Sequence, residues 1–151
     1  FFISFAVIGR YWMVHHQLFG LLKAINSRLV AWNLVYLAFV AFLPFPTALI
    51  GEYSESSVSV ISYALCTGCV SALETKMVVI SVVDDLMMRT MPPEVYRHSL
   101  IASLMPVAAF ALSIPIALWN TQVAMYTWLL MMVPLGLWGR AKPAGVNDYL
   151  G

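Results

Sequence analysis

Five stretches of this chain are apolar and long enough to cross a bilayer, and this limits the fold more than any other feature. They run from about Phe1 to Leu22, Leu29 to Ile50, Val58 to Val83, Val95 to Trp119 and Gln122 to Trp138. At about 1.5 Å per helical residue, roughly 20 residues cross a hydrocarbon layer of ~30 Å. Helices are expected, because lipid cannot satisfy an open sheet edge and none of the stretches alternates like a barrel strand. The fold class is therefore all-α, a polytopic membrane bundle with five transmembrane helices present. Composition bears this out on one point: 62% of residues are hydrophobic and 10% charged, against roughly 25% charged in soluble domains. Such a chain has too little polar surface for water. A net charge of +1 gives no argument for nucleic acid.

The connections are short and carry turn chemistry. Asn26-Ser27-Arg28 separates the first two stretches, and Gly51 closes the second. Ser56 or Ser57 is placed to cap the third. Met91-Pro92-Pro93-Glu94 stops one helix and starts the next, and Asn120-Thr121 makes a tight hairpin. One transmembrane domain over 1–142 is expected, followed by a polar tail over 143–151. Glu74 and Lys76 imply that the membrane portion of the third stretch ends before Val83.

Charge placement sets the topology. Lys23 and Arg28 lie on the first connection, Lys76, Arg89 and Arg97 flank the third, and Arg140 and Lys142 follow the last helix. Glu52 and Glu55 occupy the second connection without a basic partner. Arg10 alone sits within a helix. Under the positive-inside rule the basic connections are cytoplasmic, so the first helix begins outside. A cytoplasmic N-terminus then requires an odd number of helices before Phe1, and one, giving six in all, is the simplest count. The chain opens without Met, basic n-region or cleavage site, and is expected to be a piece lacking the helix in front of it.

Polar groups at membrane depth mark candidate function. Trp12 and His15 are three residues apart and share a helix face, with Tyr11 nearby. Arg10, His15 and His16 lie in the inner half of that helix. His16 at the interface, with Trp12 and Tyr11 in an aromatic belt, is the plainer reading. A metal site needs more ligands, and His98 begins another helix, so no metal or other cofactor is expected. Asn33, one turn into the second helix, must bond to another helix. Pro44 and Pro46 each remove a backbone donor and predict a kink or partial unwinding. Cys66-Thr67-Gly68-Cys69 invites a thiol oxidoreductase reading. However, Ser59, Ser62, Cys66 and Cys69 recur at steps of three and four, the spacing of a packing stripe. Asp84 and Asp85, with Arg89 a turn later, read as a solvated pair. No catalytic constellation or nucleotide fingerprint is present, so no enzyme is expected.

The run Ser4-Phe5 through Trp12, His15 and Leu18-Phe19, then Asn33-Leu34, then Leu43-Pro44-Phe45, resembles the transmembrane protein 175 family of potassium channels, single-repeat prokaryotic type. The motif-bearing part covers roughly the first fifty residues. The resemblance implies a six-helix repeat whose first helix carries an Arg…Phe-Ser-Asp signature and lines the pore. The first helix here would correspond to the family's second. It further implies that Trp12, His15 and Asn33 support the pore helix, that four subunits surround one pore, and that potassium passes an apolar constriction. The expectation is a potassium channel subunit in a lipid bilayer, a prokaryotic plasma membrane or, in an animal, the endosomal/lysosomal membrane. Without the pore helix this chain alone is not expected to conduct. The alternatives are a proton-coupled secondary transporter using Arg10, His15 and the broken second helix, or a thiol oxidoreductase using Cys66 and Cys69.

Overall fold

The computed structural model describes residues 2–140. Phe1, Lys142 and the expected tail over 143–151 lie outside the described residues. Six helical elements follow one another: α1 (Phe2–Gly20), α2 (Ser27–Phe42), α3 (Pro44–Glu52), α4 (Ser57–Val83), α5 (Pro93–Trp119) and α6 (Thr121–Arg140). The described residues contain an isolated antiparallel bridge, Leu22 to Met87, and no strand. The all-α helical bundle read from the sequence is what forms. Among the described residues three spans are long and apolar enough to cross a membrane: Ser27–Glu52, Ser57–Val83 and Pro93–Trp119. α1 and α6 are shorter, and Arg10, His15, His16 and Gln17 make α1 less apolar.

α2 and α3 are one span interrupted at Leu43. Pro44 and Pro46 have no N–H, so two rungs of the helical ladder are lost. The result is a kink rather than an unwinding: Leu43 keeps right-handed helical angles, φ −55° and ψ −33°. Its N–H turns to Val40 O at 3.3 Å, and Thr47 N–H resumes the ladder at Leu43 O, 3.2 Å away.

α4 is the hub, packed against α2, α3 and α5, while α6 lies on α5. Small side chains let neighbouring backbones come close: Ser59, Ala64, Thr67, Ser71 and Ser81 are all buried on α4, the residue types that membrane interfaces use. Gly68 faces Phe110 of α5, whose Cβ lies 3.4 Å from where a Gly68 Cβ would stand. Hydroxyls buried in this setting bond back along their own helices. Thr67 donates to Tyr63 O, Thr75 to Ser71 O and Ser81 to Met77 O, at 2.8, 2.9 and 2.8 Å. The main apolar cluster includes Leu29, Tyr36, Leu43, Val70, Met77 and Ile80. A smaller one joins Val60, Ala117 and Ala124 beneath Trp128.

The helix joints follow side-chain chemistry. Asn26 caps α2, its Oδ1 accepting from Leu29 N–H at 2.8 Å, and its Nδ2 donates to Asp84 Oδ2 at 2.8 Å. Asn120 ends α5 and caps α6 by accepting from Val123 N–H at 3.0 Å. Ser56 stands at the N-cap of α4 without a side-chain bond. The acidic pair was expected beside Arg89, and the structure corrects this. Lys23 Nζ binds Asp85 at 2.8 Å and Arg28 binds Asp84 at 3.2 Å, because the chain leaves α4 through a left-handed turn at Asp85, φ 51°. That turn points the carboxylates at the first connection. Backbone bonds from Lys23 N–H to Leu86 O and Met88 N–H to Leu21 O, both 2.9 Å, complete the junction. The first and third connections therefore share one side of the bundle. On the other side Gln122 reaches Glu55 at 3.4 Å.

Candidate functional site

α1 meets the bundle through polar links set at the middle of its length. His15 Nε2 donates to Asn33 Oδ1 of α2 at 2.7 Å, since an amide oxygen has no proton to give. The His15 ring stacks on Tyr36 with centroids 5.2 Å apart and on Phe19 at 4.4 Å. Tyr36 is 1% exposed, and its hydroxyl donates to Tyr11 O at 3.1 Å. Tyr11 in turn reaches α4: its hydroxyl shares a hydrogen bond with Ser71 Oγ at 2.9 Å and lies 3.4 Å from Thr67 O. Three helices are thus joined by one chain of contacts, Asn33–His15–Tyr36–Tyr11–Ser71. Hydrogen bonds at membrane depth average about 0.6 kcal/mol each, so the chain fixes a register more than it supplies stability.

The helical period explains this arrangement. Tyr11, Val14, His15 and Leu18 recur at steps of three and four, which turns one face of α1 to the bundle. The opposite face carries Arg10, Trp12, Met13, His16 and Gln17, all exposed. Trp12 is 60% exposed, and its ring lies 6.1 Å from both His15 and His16. Of the expected trio, then, the structure brings His15 and Asn33 together and leaves Trp12 on the outer flank. Lipid is a poor neighbour for the arginine, imidazole and amide groups of that outer face.

Glu74 and Lys76 stand two apart on α4 and therefore face opposite ways. Lys76 Nζ sits 3.4 Å from the centroid of the Trp32 ring of α2, a cation–π contact worth ~0.5–2 kcal/mol. Glu74 is 9% exposed, and its Oε1 is buried with no hydrogen-bond partner among the described residues. α4 runs unbroken past both residues to Val83.

Cys66 and Cys69 are both free thiols, Cys66 buried and Cys69 half-buried. Together with Ser62 they line a crevice of about 260 Å³ against Phe39, Phe42, Phe45 and Pro46. The Cys66 Sγ approaches Phe39 O at 3.8 Å. The crevice lies beside the break at Leu43, between α2, α3 and α4. Pro44 is exposed and Pro46 buried at its edge. Among the described residues no three His, Cys, Asp or Glu side chains converge on one point.

The sequence reading placed Tyr11 in an aromatic belt and did not single out Tyr36 or Ser71. A signal for the last was available: Thr67, Ser71 and Glu74 recur at four and three on an otherwise apolar helix, a polar stripe facing one neighbour.

The residues that build the α1–α2 contact are also the ones with known relatives. Residues 1–44 match the family described as endosomal/lysosomal potassium channel TMEM175. A curated potassium channel of Streptomyces collinus is 43% identical over 51 residues, 34% of this chain and 25% of the relative. One of Chamaesiphon minutus is 43% identical over 53 residues, 35% of this chain and 26% of that protein. The chain thus spans about a quarter of the length of the curated relatives it matches. No solved structure matches it. Through its first 44 residues, which hold α1 and α2, this integral membrane chain is similar to the TMEM175 family.

Proposed function

We propose that the chain is a subunit of a potassium channel of a prokaryotic plasma membrane, not an enzyme, and that it assembles as a homotetramer around one pore. The observation that carries this reading is a coincidence of position. The stretch matched to the family, 1–44, holds the two helices joined by the His15–Asn33 bond at 2.7 Å. His15 and Asn33 lock α1 to α2, and Trp12, exposed beside them, is free to pack on a pore-forming helix. His16 and Arg10 lie on the same outer side, which suits a protein-covered or watered surface better than lipid. The kink at Pro44 and Pro46 shapes the far end of the α2–α3 span. The domain is taken as 1–142 with a tail over 143–151.

Reconstitution of the full-length protein in liposomes tests this reading. Potassium efflux that rises without saturation is expected. His15→Ala and Asn33→Ala should each reduce assembly or current, and normal currents from both would remove their supporting role. Saturable flux that requires a proton gradient would replace the channel with a transporter. No potassium flux from well-folded protein would overturn both.

A further inference from the structure

Glu74 is the most anomalous side chain in the bundle. It lies within the Ser57–Val83 span, is 9% exposed, and buries an oxygen that makes no hydrogen bond. An ionised carboxylate without a partner is strongly disfavoured at such depth. Charged and titratable groups of the neighbouring helices lie within its field. From α1 come Tyr11, already bonded to Ser71 one turn earlier on α4, and Arg10, the charged side chain whose field acts on Glu74. From α2 comes Tyr36, whose hydroxyl is committed to Tyr11 O. On α4 itself Lys76 is turned away onto Trp32. At this level α5 presents the Ser103 carbonyl, which accepts from Thr75 at 3.3 Å; its His98 lies five residues earlier, stacked on Trp138. Arg10 is exposed and makes no hydrogen bond or ion pair among the described residues. Among the described residues, two groups of opposite character, Arg10 on α1 and Glu74 on α4, therefore each lack a hydrogen-bond partner.

We propose that Glu74 is a proton-binding site whose occupancy is set by Arg10 across the α1–α4 contact. With Arg10 exposed, as here, the carboxyl would keep its proton. When the Arg10 side chain swings inward, the proton leaves to water and the carboxylate and guanidinium pair. A proton needs no cavity, which suits a side chain packed this closely; a metal ion would need several oxygen ligands and room for them. The proposal does not depend on the channel reading, because its test reads the carboxyl directly.

The test is infrared difference spectroscopy of the full-length protein in bilayers, titrated from acid to alkaline buffer. A protonated-carboxyl C=O band is expected that fades as pH rises, is missing in Glu74→Gln, and has its pH midpoint displaced in Arg10→Gln. Three results would overturn the proposal: a band untouched by Glu74→Gln, a Glu74 band that does not respond to pH, or an unchanged midpoint in Arg10→Gln. Should Glu74→Gln fail to fold, the Arg10→Gln midpoint alone decides. Potassium flux from the same liposomes is recorded separately, so loss of conduction with an intact titration would count against the channel reading only.

Discussion

Tyr11 and Ser71 are 60 residues apart and meet at 2.9 Å, and this contact shows what single residues do here. Ser71 is buried and Tyr11 half-buried, so each hydroxyl satisfies the other and ties α1 to α4. Tyr11→Phe and Ser71→Ala should each destabilise the docked helix by about 0.6 kcal/mol, at most about 1.7. The double variant should cost little more than either single, a coupling that denaturant titration of the purified protein in micelles would measure. Strict additivity would mean that the hydroxyls do not act on one another. His15 and Asn33 were legible as polar residues needing partners, because lipid offers none. That they partner each other was not legible: both lie on helices whose rotation is fixed only once Tyr36 and Tyr11 are packed. Trp12 shows the limit from the other direction. Its spacing from His15 is right for a shared face, yet it lies on the outer flank and stays exposed.

At the level of elements, the contact between α4 and α5 depends on Gly68 facing Phe110 across 3.4 Å. Gly68→Ala adds a methyl in ordinary contact and also removes the helix penalty of glycine, about 1 kcal/mol, so it should be neutral or stabilising. Gly68→Leu overfills the contact and should cost about 1–3 kcal/mol, read as an earlier unfolding midpoint in the same titration. Equal midpoints for both variants would show that Phe110 moves aside freely. The helical elements themselves were legible because apolar length, proline and asparagine mark them locally. Proline gave the position of the break between α2 and α3, since a missing donor has the same effect in any fold. The partner of Asp85 was not legible, because a helix continuing to Arg89 puts the carboxylate one turn from that guanidinium. The left-handed turn, a backbone choice made at one residue, sends it to Lys23 instead.

For the whole molecule, the junction between the first and third connections fixes which ends lie together. Its ion pairs contribute little: the Lys23 and Asp85 side chains are 47% and 80% exposed, and such pairs are worth about 0–1 kcal/mol. The amide of Asn26 matters more, since it caps α2 and holds Asp84 at once. Asn26→Asp keeps the capping oxygen but sets a carboxylate against Asp84, and should destabilise by about 1.5–3 kcal/mol. Adding Asp84→Asn exchanges the two groups and should restore most of the loss, again by denaturant titration. No recovery would place the effect in the cap alone. Alternation of basic connections foretold that these two loops share a side, because a membrane allows a loop only two sides to occupy. The bonds within the junction had no such constraint to reveal them.

The chain of contacts around α1 also sets an order of events at the ribosome. Asn33 follows His15 by 18 residues, whereas Ser71 follows Tyr11 by 60 and Asp85 follows Lys23 by 62. At ~5–20 residues per second, roughly 3 to 12 s separate the emergence of Tyr11 from that of Ser71. Within that interval Asn33 of α2 emerges well before Ser71 of α4 and can shelter the imidazole of α1 from lipid. The His15–Asn33 bond can therefore form before Tyr11 meets Ser71, so that α4 docks onto a hairpin already closed.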